Sequence, residues 1–360
     1  MIAIISNCSL QYAPYIQFYS ELLSKNKIDF CIINKEDNIL EDKKDNHFVF
    51  YCDEAFMNKH PLYRTLHWYS FLLKTIKKNK ISKFIITPTR TAIVLFPILF
   101  LLKNKYIFDI RDYTNENKFL YRLAEKTLIK RSYYTVLSSR GFLQWLPYKC
   151  NKVHISHNIK YGFVPSSNGE NIKSIQDSRR RIAYVGLVDY YETNIALINS
   201  FKDTNNYEIV YSGRLSQECD LESYVKTQGI DNVLFTGEYN NADKDILYQN
   251  VDMINALYGD LSPVTKTAIP NKLYDAAMHR IPILVSSGTY LEQVVKEYGL
   301  GISVAIKTEN IFMVIDNYLN TYDKDEFNKN CARFLHDVIH DQNELERKVM
   351  LFCKEGNKCT

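Results

Sequence analysis

The sequence predicts an α/β protein of two domains, each a parallel sheet wrapped by helices. Three observations predict it. Short apolar runs alternate with helix-length amphipathic segments, the pattern of parallel strands joined by crossover helices. The polar stretch 161–180, YGFVPSSNGENIKSIQDSRR, interrupts that alternation, which restarts at Ile182. The two parts also differ in charge: residues 1–160 carry 25 Lys and Arg against 13 Asp and Glu, and residues 161–360 carry 20 against 28. With 360 residues and 46% hydrophobic content, each part can bury a core of its own.

The expected elements follow in chain order. The first part has strands near 1–6, 28–34, 47–51, 83–87, 106–110, 133–138 and 152–156. Helices near 12–25, 63–80, 89–103, 117–131 and 140–147 lie between them, most long enough for a parallel crossover. The second part has strands near 182–186, 207–212, 232–236, 252–256, 282–286 and 301–304. Its helices lie near 194–202, 216–228, 242–249, 268–279, 289–298 and 308–320, with two more near 324–335 and 342–354. The domain limits read 1–160, a linker 161–180, 181–335, and a helical segment 336–360 that would cross back to the first domain.

Composition excludes several classes. Twelve Gly and nine Pro with ordinary apolar content exclude collagen-like and disordered chains. Eight cysteines without a C-x-x-C pair argue against a zinc ribbon or disulfide framework and for reduced thiols in a cytoplasm. MIAIISNCSL reads as a first strand and not a signal peptide. The longest apolar run, Thr91–Leu102, falls short of the roughly 20 residues of a membrane span. P-loop, G-x-G-x-x-G and G-x-S-x-G motifs are absent. His336 and His340 have i,i+4 spacing without the glutamate of a zinc-protease helix, and read as helix surface; no metal site is expected.

Ligands in open α/β sheets sit beyond the carboxyl ends of the strands. The richest segment there is PNKLYDAAMHRIPILVSSGTYLE, from Pro270 to Glu292. A helix starting at Pro270 turns Leu273, Ala276 and Ala277 towards a sheet and carries Lys272 and Asp275 near its start. Such a carboxylate can accept two ribose hydroxyls, and the lysine with helix N-terminal amides can neutralise a diphosphate. The plainer alternative leaves Asp275 on the helix dipole and Lys272 in solvent.

Five segments in order resemble the second domain of GT-B glycosyltransferases, most closely the large family-4 group of retaining enzymes. They are Ala183–Gly186, Ile209–Gly213, Val233–Tyr239, Val251–Asn255 and Pro270–Asp275, within residues 181–305. The resemblance implies two Rossmann-like domains facing across a cleft. It also implies transfer of a sugar from a nucleotide-diphosphate donor, of UDP or GDP type, in surface polysaccharide synthesis. Gly186 would approach the sugar or acceptor phosphate, Gly213 and Arg214 the diphosphate, Tyr239 the base, and Asp275 the ribose. The sequence departs from the family pattern at two places. Thr267 stands eight residues before Asp275, where the family has a second glutamate, and LVDYYETN after Gly186 lacks the usual Arg and Lys. Cations for the diphosphate would then come from Arg214, Lys266 or Lys272. No cofactor beyond the donor is implied, and the resemblance favours retention over inversion.

The first domain would bind a glycan or a polyprenyl-diphosphate-linked acceptor. Asp112, after the strand that ends in Asp109-Ile-Arg111, could serve as base on an acceptor hydroxyl, while Asp109 and Arg111 could equally form a structural ion pair. His157, in the turn Ser156-His157-Asn158, is the other candidate. Lysines at 74, 77, 78, 80, 83, 103 and 105 beside apolar helices suit an anionic membrane surface as well as plain solvated caps. No nucleic-acid-binding module is recognisable. Two alternatives remain open: a non-catalytic scaffold that binds a nucleotide sugar or glycan, and a sugar-nucleotide epimerase of the same fold.

Overall fold

The computed structural model describes residues 1–10, 13–36, 46–159, 161–163, 179–240 and 243–355. Most of the expected linker lies outside them. The chain divides into two compact units, Met1–Phe163 with Ile339–Thr360, and Val164–Val338.

Unit 1 runs β1 (Ile2–Ile5), α1 (Pro14–Lys25), β2 (Phe30–Glu36), β3 (His47–Tyr51), α2 (Glu54–Met57), α3 (Pro61–Lys78), β4 (Lys83–Ile86), α4 (Thr89–Val94), α5 (Phe96–Leu99), β5 (Tyr106–Ile110), α6 (Phe119–Arg131), β6 (Tyr134–Leu137) and β7 (Val153–Ile155). The sheet is parallel throughout, in the order β3-β2-β1-β4-β5-β6-β7. Its inner strands are buried on both faces, which is why IAII and YIFDI read as unbroken apolar runs and not as alternation.

Unit 2 runs β8 (Arg180–Val185), α7 (Tyr191–Phe201), β9 (Tyr207–Ser212), α8 (Leu221–Gln228), β10 (Val233–Gly237), α9 (Lys244–Leu247), β11 (Met253–Ala256), α10 (Pro263–Thr267), α11 (Asn271–His279), β12 (Ile283–Ser286), α12 (Tyr290–Tyr298), β13 (Gly301–Val304) and α13 (Ile311–Thr321). Its parallel sheet has the order β10-β9-β8-β11-β12-β13. Local chemistry sets the helix limits. Asp220, Thr289 and Asn310 cap α8, α12 and α13 through their side chains, and Gly229 and Gly299 end α8 and α12 in the left-handed conformation.

Three expectations change. The apolar helix near 89–103 is two short helices, α4 and α5, with Pro97 in the first turn of the second. The segment near 140–147 is a 3-10 helix, Arg140–Gln144. The two last helices are one, α14 (Lys324–Lys354), because HDVIHD between them holds no Gly or Pro to stop it. Its Leu345, Val349 and Phe352 share a core with Ile16, Tyr19 and Leu22 of α1 in unit 1. Among the described residues no helix is long and apolar enough to cross a membrane, and no disulfide joins two described cysteines.

One core group works against stability. Glu125 of α6 is fully buried and neither carboxylate oxygen has a hydrogen-bond partner among the described residues. Burial, with Glu116 nearby, lifts its pKa from 4.5 to about 8. The folded value lies above the unfolded one, so its contribution to stability is complete below about pH 4.5 and lost as pH rises towards 8. Glu125→Gln is expected to melt above the wild type at about pH 8 and to lose that advantage below about pH 4.5, by thermal denaturation.

Candidate functional site

Unit 2 holds a pocket of about 420 Å³ beyond the carboxyl ends of its strands. It opens where β8 and β11 lie side by side. There the strand order reverses, with β9 and β10 running off one way and β12 and β13 the other. Such a switch point leaves neighbouring crossovers on opposite faces of the sheet and a crevice between them.

One wall is the turn after β8. Gly186 sits at φ +129°, open to glycine, and its N–H donates to the Ser212 carbonyl at 2.8 Å. Gly213 follows β9 at φ +136°, packed so closely that a Cβ there would lie 1.9 Å from the Gly186 carbonyl oxygen. The Gly213 N–H donates in turn to Gly237 at 2.8 Å. Two successive strand-end turns are thus stacked backbone on backbone.

The opposite wall is the start of α11. Lys272, in its first turn, is buried, against the solvated alternative. Its Nζ lies 3.4 Å from the Tyr184 ring centroid and 5.1 Å from that of Tyr258, and donates to the Tyr258 hydroxyl at 3.0 Å. Two ring faces hold the ammonium through their quadrupoles, a weaker substitute for water than a counter-ion. Burial lowers its pKa well below the usual lysine value; the Asp275 charge draws it partly back and Lys244 pushes it down. Among the described residues no carboxylate lies within ion-pair distance of Lys272.

Asp275, one turn further along α11, is buried too. Its Oδ2 pairs with Lys244 Nζ at 2.6 Å and accepts from the Tyr248 hydroxyl at 2.8 Å. That charge, after burial, raises the pKa of Tyr239 at the pocket edge.

Of the residues singled out from sequence, Gly186, Tyr239, Lys272 and Asp275 line this pocket. Gly213 stands behind Gly186. Arg214 and Lys266 are exposed and outside the lining, and Thr267 is buried with its hydroxyl donating to the Pro263 carbonyl at 2.6 Å. Lys244, Tyr184 and Tyr258 were not foreseen. Lys244 meets Asp275 across 31 residues, which no local spacing displays, and the two tyrosines stood among 27.

In unit 1, Asp109 and Arg111 form a buried ion pair at 2.5 Å. Asp109 accepts from the Tyr19 hydroxyl, and Arg111 donates to Ser156 and Asn158 beneath the Tyr15 ring. Burial pushes the Asp109 pKa up, and the guanidinium pulls it back. Asp112, next to this pair, is exposed. His157 is tied to α14, its Nε2 3.1 Å from Asp341 Oδ2, while Arg140 grips the same carboxylate at 2.7 Å. His336 is exposed beside Asp337.

No protein-family model matches the chain, and neither does any curated protein sequence. Solved structures do match over nearly the whole length. Anabaena HepE in complex with UDP and glucose has a TM-score of 0.71 at 11% identity, over 97% of this chain and 99% of that one. Sucrose-phosphate synthase from Thermosynechococcus elongatus has 0.69 at 11%, over 97% and 99%. WaaG, a glycosyltransferase involved in lipopolysaccharide biosynthesis, has 0.64 at 12%, over 99% and 100%. At such identities the likeness bears on the fold, and the chain has the fold of these glycosyltransferases, GT-B, with two Rossmann-like parallel-sheet domains.

Proposed function

We propose that this chain is a glycosyltransferase that takes a sugar from a nucleotide-diphosphate donor held in the unit 2 pocket. The observation that carries it is Lys272, a buried cation without a counter-ion among the described residues, three residues before a buried carboxylate. A nucleoside diphosphate supplies the anion that Lys272 lacks and hydroxyls that Asp275, already paired with Lys244, can accept from. The diphosphate would meet Lys272 and the N-terminal amides of α11, and the ribose hydroxyls would donate to Asp275. Tyr239 would flank the base. UDP is the first candidate, because HepE is solved with it.

In the transfer, the bond from the anomeric carbon to the diphosphate oxygen breaks as the acceptor oxygen bonds to that carbon. The acceptor proton passes to the departing phosphate, and the anionic charge built up there is met by Lys272. This route asks for no carboxylate at position 267 and no metal, and fits retention. Unit 1, with its positive balance, would bind the acceptor, a glycan or a polyprenyl-diphosphate-linked glycan of a bacterial cytoplasm. Asp112 is exposed and open to such a substrate. The ring of His157 is engaged with Asp341, which favours a positioning role.

The test is thermal denaturation with UDP, GDP, ADP and CMP, on the wild type and Asp275→Ala. One nucleotide at a hundred times its dissociation constant should stabilise the wild type by about 2.7 kcal/mol. The variant should lose most of that shift. Equal shifts in both proteins would refute the donor site. Thr267, in place of a family glutamate, favours a second reading as a binding-only scaffold. Release of the preferred nucleotide from its sugar conjugate distinguishes the two.

A further inference from the structure

We infer that the helical layer of unit 1 formed by α3, α5 and α6 is a docking surface for an anionic phospholipid bilayer. The steps β3 to β4, β4 to β5 and β5 to β6 all move the same way across the sheet, and they carry these helices. Right-handed crossovers therefore put them on one face. The step from β1 to β2 moves the other way and puts α1 on the opposite face, where the end of α14 covers it. α4 and α5 pack directly on α6.

The outer side of this layer is left exposed by the described residues, and its side chains there are the wrong kind for water. On α3, Trp68, Leu72 and Thr75 point inward, while Leu62, Leu66 and Leu73 line the opposite side at helical spacing. On α6, Leu128 and Ile129 point inward, while Phe119, Leu120 and Leu123 project outward, the first two 78% and 76% exposed. Leu101, just beyond α5, is also 76% exposed. More than half of the exposed large apolar side chains among the described residues fall on this one layer. Scattered singly they would need no explanation; gathered on one face they mark a contact surface.

Charge selects the occupant. The helices α3 to α6 contain one carboxylate, Glu125, and it is buried. Their solvent-facing charges are all positive, Lys74, Lys77, Lys78 and Arg122 among them. Protruding Leu and Phe beside lysines match an anionic leaflet, whose acyl region takes the apolar tips and whose headgroups take the cations. A nucleic acid would use the cations and leave the leucines in water, and a second copy would set cation against cation.

Flotation with vesicles of phosphatidylglycerol and phosphatidylcholine, against phosphatidylcholine alone, tests it without any nucleotide. The wild type should float with the anionic vesicles and stay behind with the neutral ones. Leu120→Asp/Leu123→Asp should bind about a hundredfold less, the two leucines withdrawn from lipid together forfeiting about 3 kcal/mol. Leu261→Asp, at an 89% exposed site in unit 2, should float like the wild type. All three substituted leucines, Leu120, Leu123 and the control Leu261, are exposed, and unchanged melting temperatures check folding. Lys126→Glu/Lys130→Glu should lose the preference for anionic lipid. No flotation, flotation untouched by Leu120→Asp/Leu123→Asp, or a dimer in sedimentation velocity that the same variant abolishes would each overturn the inference. A protein that floats but binds no nucleotide would separate this surface from the donor site.

Discussion

Lys272→Met is expected to weaken nucleoside diphosphate binding by about a hundredfold or more while raising the melting temperature of the free protein. The two effects have one cause. An ammonium held between Tyr184 and Tyr258 has given up water without gaining a carboxylate, so the free protein carries an uncompensated desolvation cost. Methionine keeps the length and the aromatic contact and removes the charge. The diphosphate is the missing partner, and truncating one side of such a buried pair costs about 2–5 kcal/mol of binding. Calorimetric titration with scanning of the free protein reads both. A variant that binds as tightly as the wild type would take Lys272 out of the site. One that binds weakly but melts lower would mean that the lysine serves folding first.

Gly213→Ala is expected to lower stability more than any other single methyl added near the pocket. The new Cβ would need the space of the Gly186 carbonyl, 1.9 Å away, at φ +136°, where L side chains are already strained. Backbone cannot swing aside as a flexible side chain can. Relief requires parting the turns after β8 and β9, at about 3 kcal/mol or more. Moving Gly186 also moves the wall facing Lys272, so nucleotide affinity should fall in whatever fraction stays folded. Gly186→Ala makes the contrast: its Cβ would lie 3.9 Å from Lys272 Nζ and meets no backbone within 4 Å. It should melt above Gly213→Ala in the same assay.

Much of the fold was legible because parallel strands buried on both faces are written as short apolar runs, and their crossovers as amphipathic segments between them. The exceptions have local causes. Pro97 divided a helix that hydrophobicity alone would have carried through, and nothing between Leu335 and Gln342 divided the last one. The site was legible where it is local. Lys272 and Asp275 share the opening of one helix, and Gly186 ends one strand, so spacing alone marks them. Whether the lysine is solvated or buried depends on Tyr184 of β8 and Tyr258 of the loop after β11, which meet only in the fold. Lys244 is hidden for the same reason. Exposure of Arg214 and Lys266 likewise follows from which side of a turn or short helix faces the pocket, a matter of tertiary packing.

The most direct measurement is titration calorimetry of the preferred nucleoside diphosphate at about pH 8.5, where its phosphates are already fully ionised, in two buffers of different ionisation enthalpy. Burial lowers the pKa of Lys272 in the free protein, and a bound diphosphate would raise it again, so binding should draw in a fraction of a proton. The observed heat should therefore differ between buffers for the wild type and coincide for Lys272→Met. Equal heats for the wild type, or a proton still taken up by the variant, would contradict the claim that this buried lysine receives the diphosphate.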